Sequence, residues 1–344
     1  MCLRVATASA LVFVLAGCAH GGATAPVSEG SLVPGAPLPA GVRVPLTDMG
    51  TRTYQNLSGG LFPNGSNTMP SAHAAAGAAH ASAIRTRDVN GNQSAAGRYV
   101  LLSIGMSNTT QEFSAFITAA AADPAVDRTR LAIVDGAAGG RDASYWTSAT
   151  GAEYDRIKTQ VLQSRGLSEA QVAAVWLKVA NAGPTRALRD AFADAYTLVT
   201  QQGQIVRALR IRYPNLQQVF VSSRIYAGYA TSTLNPEPYA YESGFAVKWL
   251  IEAQINQTVG GGADVRAGNL DMAGGAPWVS WGPYLWADGM TVRSDGVNWA
   301  SSDLAADGTH PSSSGQAKVA NLLLSFLKTS PHSRCWFVAG QSCP

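Results

Sequence analysis

A chain of 344 residues with 46% hydrophobic and only 14% charged residues has enough apolar material for a large buried core. Its 25 Lys and Arg against 22 Asp and Glu give a formal charge of +3, which excludes the basic footprint of a nucleic-acid-binding surface. Past the N-terminal stretch, no run approaches the roughly 20 consecutive apolar residues that a membrane-spanning helix needs.

The N-terminus reads as an export signal. Arg4 supplies a small basic region, residues 6–15 an apolar stretch, and Leu15-Ala16-Gly17-Cys18 a small-residue cleavage site, so residues 1–17 are expected to be removed. Leu-Ala-Gly-Cys resembles the lipobox of bacterial lipoproteins. That likeness implies cleavage before Cys18 and a lipid on its sulfur. Because Ala19 follows rather than aspartate, it also implies passage to the outer membrane in a didermic host. The alternative is an ordinary signal peptide with an incidental Cys18. Residues 18–44 are rich in Ala, Gly, Pro and Ser and lack periodicity, so they read as a disordered tether, with 45–344 as a single folded domain. Once Cys2 and Cys18 are set aside, Cys335 and Cys343 remain, and in an oxidising compartment they are expected to form a disulfide that closes a small terminal loop. A metal site with His332 is the competing reading, but two thiols and one imidazole are too few ligands.

In chain order, residues 45–97 give little beyond an Ala-rich run at 71–84. His73 and His80 in that run would lie roughly 10.5 Å apart along a helix, too far to share an ion, and read as structural. Residues 99–104 predict a short buried strand; Gly105 permits a sharp turn, and Thr109 or Thr110 caps a helix over 111–122. A second strand at 130–134 runs into Asp135-Gly136-Ala137-Ala138-Gly139-Gly140, where glycines let backbone approach a ligand. Helix is expected at 155–165, a capping box at Ser168 and Gln171, and a third strand at 175–180 that delivers Asn181. Residues 185–213 read as one long helix, with Leu188, Phe192, Tyr196, Ile205, Leu209 and Ile211 apolar and Pro214 as its stop. A fourth strand at 218–222 leads into Ser223-Arg224, and a helix follows at 239–255. A glycine-rich loop spans 259–275, a last strand lies within 278–286, and an amphipathic helix covers 315–327. Strands alternating with helices predict an α/β, three-layer, doubly wound parallel sheet.

Ser107 falls at the carboxyl end of the first strand, beside a helix N-terminus, where open parallel sheets bind ligands and unpaired N–H groups face developing negative charge. A serine nucleophile needs a base and a group to orient that base. Asp307 and His310 supply both from one loop. Among the other histidines, His20 lies in the tether, His73 and His80 in the Ala-rich run and His332 near the terminal loop, which leaves His310 as the base. A loop histidine merely hydrogen-bonded to Asp307 is the bland alternative.

Four blocks in order carry a family resemblance: Gly105-Met106-Ser107-Asn108, Gly136-Ala137-Ala138-Gly139, Val179-Ala180-Asn181-Ala182 and Asp307-Gly308-Thr309-His310-Pro311. Over residues 99–327 the chain resembles the SGNH hydrolases, also called GDSL-like esterases and lipases, in a divergent branch. The resemblance implies a flavodoxin-like SGNH hydrolase fold, with Ser107 as nucleophile, His310 as base and Asp307 as its orienter. It further implies an oxyanion hole from the Ser107 and Gly139 backbone N–H groups and the Asn181 side-chain amide, and chemistry without metal or organic cofactor. Gly140 competes with Gly139, and Asn181 is alternatively a turn residue before Gly183-Pro184. Met106 stands where the family carries aspartate, and Val179 and Ala182 stand where it carries glycine and aspartate.

On this likeness the chain is a secreted, lipid-anchored serine esterase of O-acyl esters, with an O-acetylated glycan as candidate substrate, the membrane as partner through its lipid, and no nucleic-acid partner. The alternatives are an acyltransferase, or a non-catalytic SGNH-like envelope lipoprotein that binds glycan or a protein partner. Trp278, Trp281, Tyr284, Trp286 and Trp299 precede His310 and are either rings that stack on substrate or core anchors. Lys178 and Arg224 are either contacts for an anionic substrate or supporting residues, and Asp288, Asp295 and Asp303 read as turn residues.

Overall fold

In the computed structural model residues 35–343 are described. The expected export signal, Cys18 and the first part of the expected tether lie outside them. Five strands form one parallel sheet: β1 (Tyr99–Gly105), β2 (Leu131–Asp135), β3 (Val172–Lys178), β4 (Gln218–Val221) and β5 (Trp278–Trp281), in the order β2-β1-β3-β4-β5. The chain steps outward from β1 to β2, then crosses back past β1 to β3. That reversal opens a crevice at the carboxyl ends of β1 and β3, the usual ligand position of such sheets.

Alternation along the strands divides the core in two. Val100, Leu102 and Ile104 of β1 face one way with Val175, Leu177, Val219 and Val221, and pack on α3 (Asp194–Arg212) and α4 (Tyr239–Thr258). Tyr99, Leu101, Trp176 and Phe220 face the other way and meet Phe113 and Phe116 of α2 (Ser107–Ala122) and Val319, Leu323 and Leu327 of α5 (Ser313–Thr329). Each such side chain, fully buried, contributes roughly 1.5–3 kcal/mol, which fixes the expected three-layer, doubly wound α/β arrangement. An earlier helix, α1 (Ser71–Ser82), occupies the Ala-rich run; His73 is buried there and bonds the Val279 carbonyl through Nε2 at 3.0 Å. Among the described residues, no helix is long and apolar enough to cross a membrane.

Several boundaries differ from the sequence reading, each for a local reason. The tether does not extend through residue 44. Thr53 N donates to Ala36 O (3.0 Å), Leu38 N to Thr53 O (2.7 Å) and the Tyr241 hydroxyl to Val44 O (2.8 Å), so residues 36–44 pack as part of the domain. The third strand begins at Val172, directly after the Ser168–Gln171 capping box. The long helix expected at 185–213 starts only at Asp194. Asp194 Oδ2 accepts from the N–H groups of Thr185 (2.9 Å) and Arg186 (2.7 Å), Leu188 N donates to Glu242 Oε2 (2.9 Å), and Arg189 adopts φ +94°. Phe192, assigned to an apolar face, is 73% exposed on this loop. Cys335 and Cys343 are disulfide-bonded as expected.

Glu242 is the buried acid that anchors this loop. It accepts from Tyr54 Oη (2.9 Å) and Leu188 N (2.9 Å), and burial, aided by nearby Glu237, pushes its carboxyl up to about 7 despite those two donors. A carboxyl raised from 4.5 contributes stability that is complete below the unfolded value and lost as pH rises through about 7. Glu242→Gln, which cannot ionise, is therefore expected to gain roughly 2 kcal/mol on the wild type between pH 5 and pH 8. Thermal unfolding of both proteins at the two pH values checks this, and parallel shifts would contradict it.

Candidate active site

The turn after β1 sets the position of Ser107. A Cβ on Gly105 would stand 2.1 Å from Lys178 O and 2.4 Å from Thr109 Oγ1, so only glycine lets the chain turn this tightly against β3. The chain enters α2 immediately, with Met106 as cap and Ser107 as the first helical residue, four positions before the expected start at 111. Thr109 therefore works inside the first turn: its Oγ1 accepts from Met106 N (3.3 Å) and donates to Lys178 O (2.7 Å). Ser107 N–H belongs to the helix-start amides that lack an intrahelical acceptor and lie at the positive end of the dipole.

The second component is the loop before α5. Gly308 adopts φ +62°, and a Cβ there would come within 1.9 Å of Tyr229 O, so the loop closes against the segment after β4. Thr231 N, from that segment, donates to Asp307 O (3.0 Å). Within the loop, Asp307 Oδ1 accepts from Thr309 N and His310 N, both at 3.0 Å, while Oδ2 lies 2.5 Å from His310 Nδ1. His310 Nε2 lies 2.8 Å from Ser107 Oγ. Partial burial alone would raise Asp307, but the bonds from the His310 ring and from the His310 and Thr309 amides outweigh it and hold the carboxyl at about 2. An ionised Asp307 assigns the proton to His310 Nδ1. Nε2 then presents its lone pair to the serine hydroxyl.

Ser107 opens on a cavity of about 250 Å³ bordered by Met106, Gly140, Asn181, Arg224, Leu234 and His310. Gly139 is close: a Cβ on it would lie 4.0 Å from Ser107 Cβ, and its N–H has no partner among the described residues. Gly140, at φ +71°, follows on the cavity wall. Ala138 N donates to Gly105 O (3.1 Å) and Ala143 N to Ala180 O (3.1 Å), holding this loop against the ends of β1 and β3. The Asn181 carbonyl accepts from Asn235 Nδ2 (3.0 Å), whereas its side-chain amide has no partner among the described residues, and Asn181 borders the cavity. Serine hydroxyl and imidazole thus form a hydrogen-bonded pair for proton transfer, oriented by the carboxylate, beside three N–H sources. Such a set can deprotonate a nucleophile and receive negative charge on an oxygen.

No family model matches the chain, and no curated protein matches it. Among solved structures it is similar to a protein described as a GDSL-like lipase from Parabacteroides merdae, at 9% identity and a TM-score of 0.36, covering 70% of this chain and 97% of that one. It is similar to a protein described as an acylhydrolase from Bacteroides fragilis, at 12% identity and a TM-score of 0.36, covering 75% and 96%. A third is a salicylyl-acyltransferase from a tetracycline biosynthetic pathway, at 14% identity and a TM-score of 0.32, covering 70% and 58%.

The aromatic residues before His310 do not border the cavity. Trp278, Trp281, Tyr284, Trp286 and Trp299 are all buried, and the indole N–H groups of Trp278, Trp281 and Trp299 are tied to the carbonyls of His73 (3.0 Å), Leu61 (2.6 Å) and Leu285 (2.8 Å). They are core anchors and not rings placed to stack on substrate. Lys178 is sealed beneath the site against Glu112 and cannot reach a ligand. Asp295 and Asp303 pair with Arg293 (2.7 Å) and Lys318 (2.5 Å). The sequence reading missed Asn108, whose Nδ2 donates to Thr309 O at 2.9 Å and ties the serine turn to the histidine loop. Its only signal was its place directly after Ser107.

Proposed function

We propose that the protein is a serine esterase that hydrolyses short O-acyl esters through an acyl-Ser107 intermediate. The observation that carries this reading is the Ser107–His310–Asp307 relay, with contacts of 2.8 and 2.5 Å, opening on the cavity. In the first half-reaction His310 Nε2 takes the Ser107 proton as Oγ bonds to the substrate carbonyl carbon. The carbonyl oxygen becomes an oxyanion received by Ser107 N–H, Gly139 N–H and the Asn181 amide. His310 then returns the proton to the departing alkoxide as the ester C–O bond breaks. Water, deprotonated by the same nitrogen, releases the acid and restores Ser107. Asp307 stays ionised throughout and stabilises the imidazolium.

Met106, Val179 and Ala182 leave this relay intact, since none supplies the nucleophile, the base or a charge-receiving N–H. Met106 instead lends an apolar wall. About 250 Å³ is below the roughly 300–1,000 Å³ of sites for drug-sized ligands, which favours acetyl or another short acyl group. An O-acetylated envelope glycan fits that size, and anchoring through a lipid on Cys18 would hold the enzyme beside it. Incorporation of labelled palmitate that is lost in Cys18→Ala tests the anchor.

Hydrolysis of 4-nitrophenyl acetate in preference to the decanoate tests the esterase reading, and folded protein inert towards both would count against it. In the same assay Asn181→Ala is expected to lower kcat about 100-fold with little change in KM, because an oxyanion donor acts chiefly in the transition state. A change confined to KM would remove Asn181 from that role.

A further inference from the structure

Arg224 stands in the exit loop of β4 and is 1% exposed, yet it lines the cavity that Ser107 and His310 share. Among the described residues its Nη2 makes one long bond, 3.4 Å, to Thr309 O, and its Nε has no partner. The carboxylates that surround it are committed elsewhere. Glu112 holds Lys178 Nζ with both oxygens, at 2.5 and 2.6 Å. Asp307 serves His310 at 2.5 Å, and Glu237 accepts from Trp286 Nε1 (2.7 Å), Ala227 N (3.1 Å) and Tyr241 N (3.1 Å). Of the other charged residues on the cavity wall, Arg141 is paired with Glu153 at 2.5 Å, and Asp142 turns its oxygens to Ser144 N (3.0 Å), Ser144 Oγ (2.5 Å) and Ala182 N (3.4 Å). A permanent cation buried with one weak acceptor among the described residues is costly, and a planar fork of N–H donors matches a carboxylate.

We propose that Arg224 is a specificity-determining residue that receives a carboxylate of the substrate, so that the esters turned over carry an anionic group a few atoms from the scissile carbonyl. This rests on the esterase reading above and narrows its substrate class. The carboxylate belongs either to the acyl part, as in a dicarboxylic half-ester, or to the alcohol part, as in an O-acylated acidic sugar, and the test separates the two.

Two substrate pairs are compared by kcat/KM: 4-nitrophenyl pentanoate with 4-nitrophenyl hemiglutarate for the acyl side, and phenyl acetate with 4-acetoxybenzoate for the alcohol side. In one pair the wild type is expected to prefer the anionic member at least 10-fold, and Arg224→Met, which keeps the volume and removes the charge, to erase that preference. Turnover with no anionic preference in either pair, or a preference unchanged by Arg224→Met, overturns the inference and leaves the esterase reading standing. If Arg224→Met does not fold, Arg224→Lys keeps the charge without the fork. It should reduce the preference several-fold, and an unchanged preference again overturns the inference. Calorimetric titration of glutarate and of 4-hydroxybenzoate into the wild type and the Arg224 variants covers the case of no turnover. Anion binding that disappears with Arg224 then supports the carboxylate site while the esterase reading falls, and no binding removes both.

Discussion

Ser107→Ala is expected to lower ester hydrolysis by at least about 1,000-fold while leaving thermal unfolding within about 2 °C of the wild type. The fold should tolerate the change because Ser107 sits at the first helical position, and among the described residues its Oγ bonds only His310, at 2.8 Å. Asp307→Asn is expected to cost about 10,000-fold in kcat through another route. An amide cannot accept from Nδ1–H as a carboxylate held at about 2 does, so the imidazole loses both its tautomer and the charge that stabilises its protonated form. The three residues act as one unit, so the Ser107→Ala/His310→Ala double variant should be no slower than Ser107→Ala. Steady-state rates on 4-nitrophenyl acetate check all of these, and multiplicative losses would mean that serine and histidine work independently.

The largest stability effect is expected from the Glu112–Lys178 pair. Both side chains are 0% exposed, and the pair joins the second turn of α2 to the end of β3, directly below Ser107. Burial pushes the Glu112 carboxyl up and draws the Lys178 ammonium down to about 8; each partner offsets part of the other's cost. Glu112→Gln or Lys178→Met alone leaves a charge buried without its partner and is expected to cost about 3–5 kcal/mol, a fall in Tm on the order of 10 °C. Glu112→Leu/Lys178→Met, which removes both charges, should recover most of that loss. A double variant no more stable than either single one would show that packing, rather than the unpaired charge, governs the site. Thermal and denaturant unfolding of the four proteins decide the matter.

What the sequence could reveal followed from how local each signal is. Strand and helix periodicity needs only neighbouring residues, so Val100-Leu101-Leu102 and the run at 315–327 announced their elements, and the β-α alternation announced the parallel sheet. The serine turn and the Asp307–His310 spacing were legible because a nucleophile at a strand end and an acid three residues from an imidazole are also short-range patterns. The structure brings these two stretches together as hydrogen-bonded neighbours. What stayed hidden depends on partners far along the chain. Residues 185–193 carry a helical apolar pattern, but Asp194 and Glu242 capture their amides, and Glu242 lies on another helix. The tryptophans before His310 read in one dimension as either substrate-stacking rings or core anchors, and it is bonds from their indoles to carbonyls as distant as Leu61 and His73 that decide for the core. In the sequence Arg224 reads either as a contact for an anionic substrate or as a supporting residue. Its meaning lies in the commitment of Glu112, Asp307 and Glu237 to other groups, which no local pattern records.

The central claim, an activated serine at residue 107, is tested most directly by treating the folded domain with a fluorophosphonate and locating the adduct by peptide mass. A phosphonate ester on Ser107 alone, absent in both Ser107→Ala and His310→Ala, is the predicted result. Folded protein that takes up no label while a known serine esterase in the same tube reacts, or that carries the label on another residue, would contradict the account.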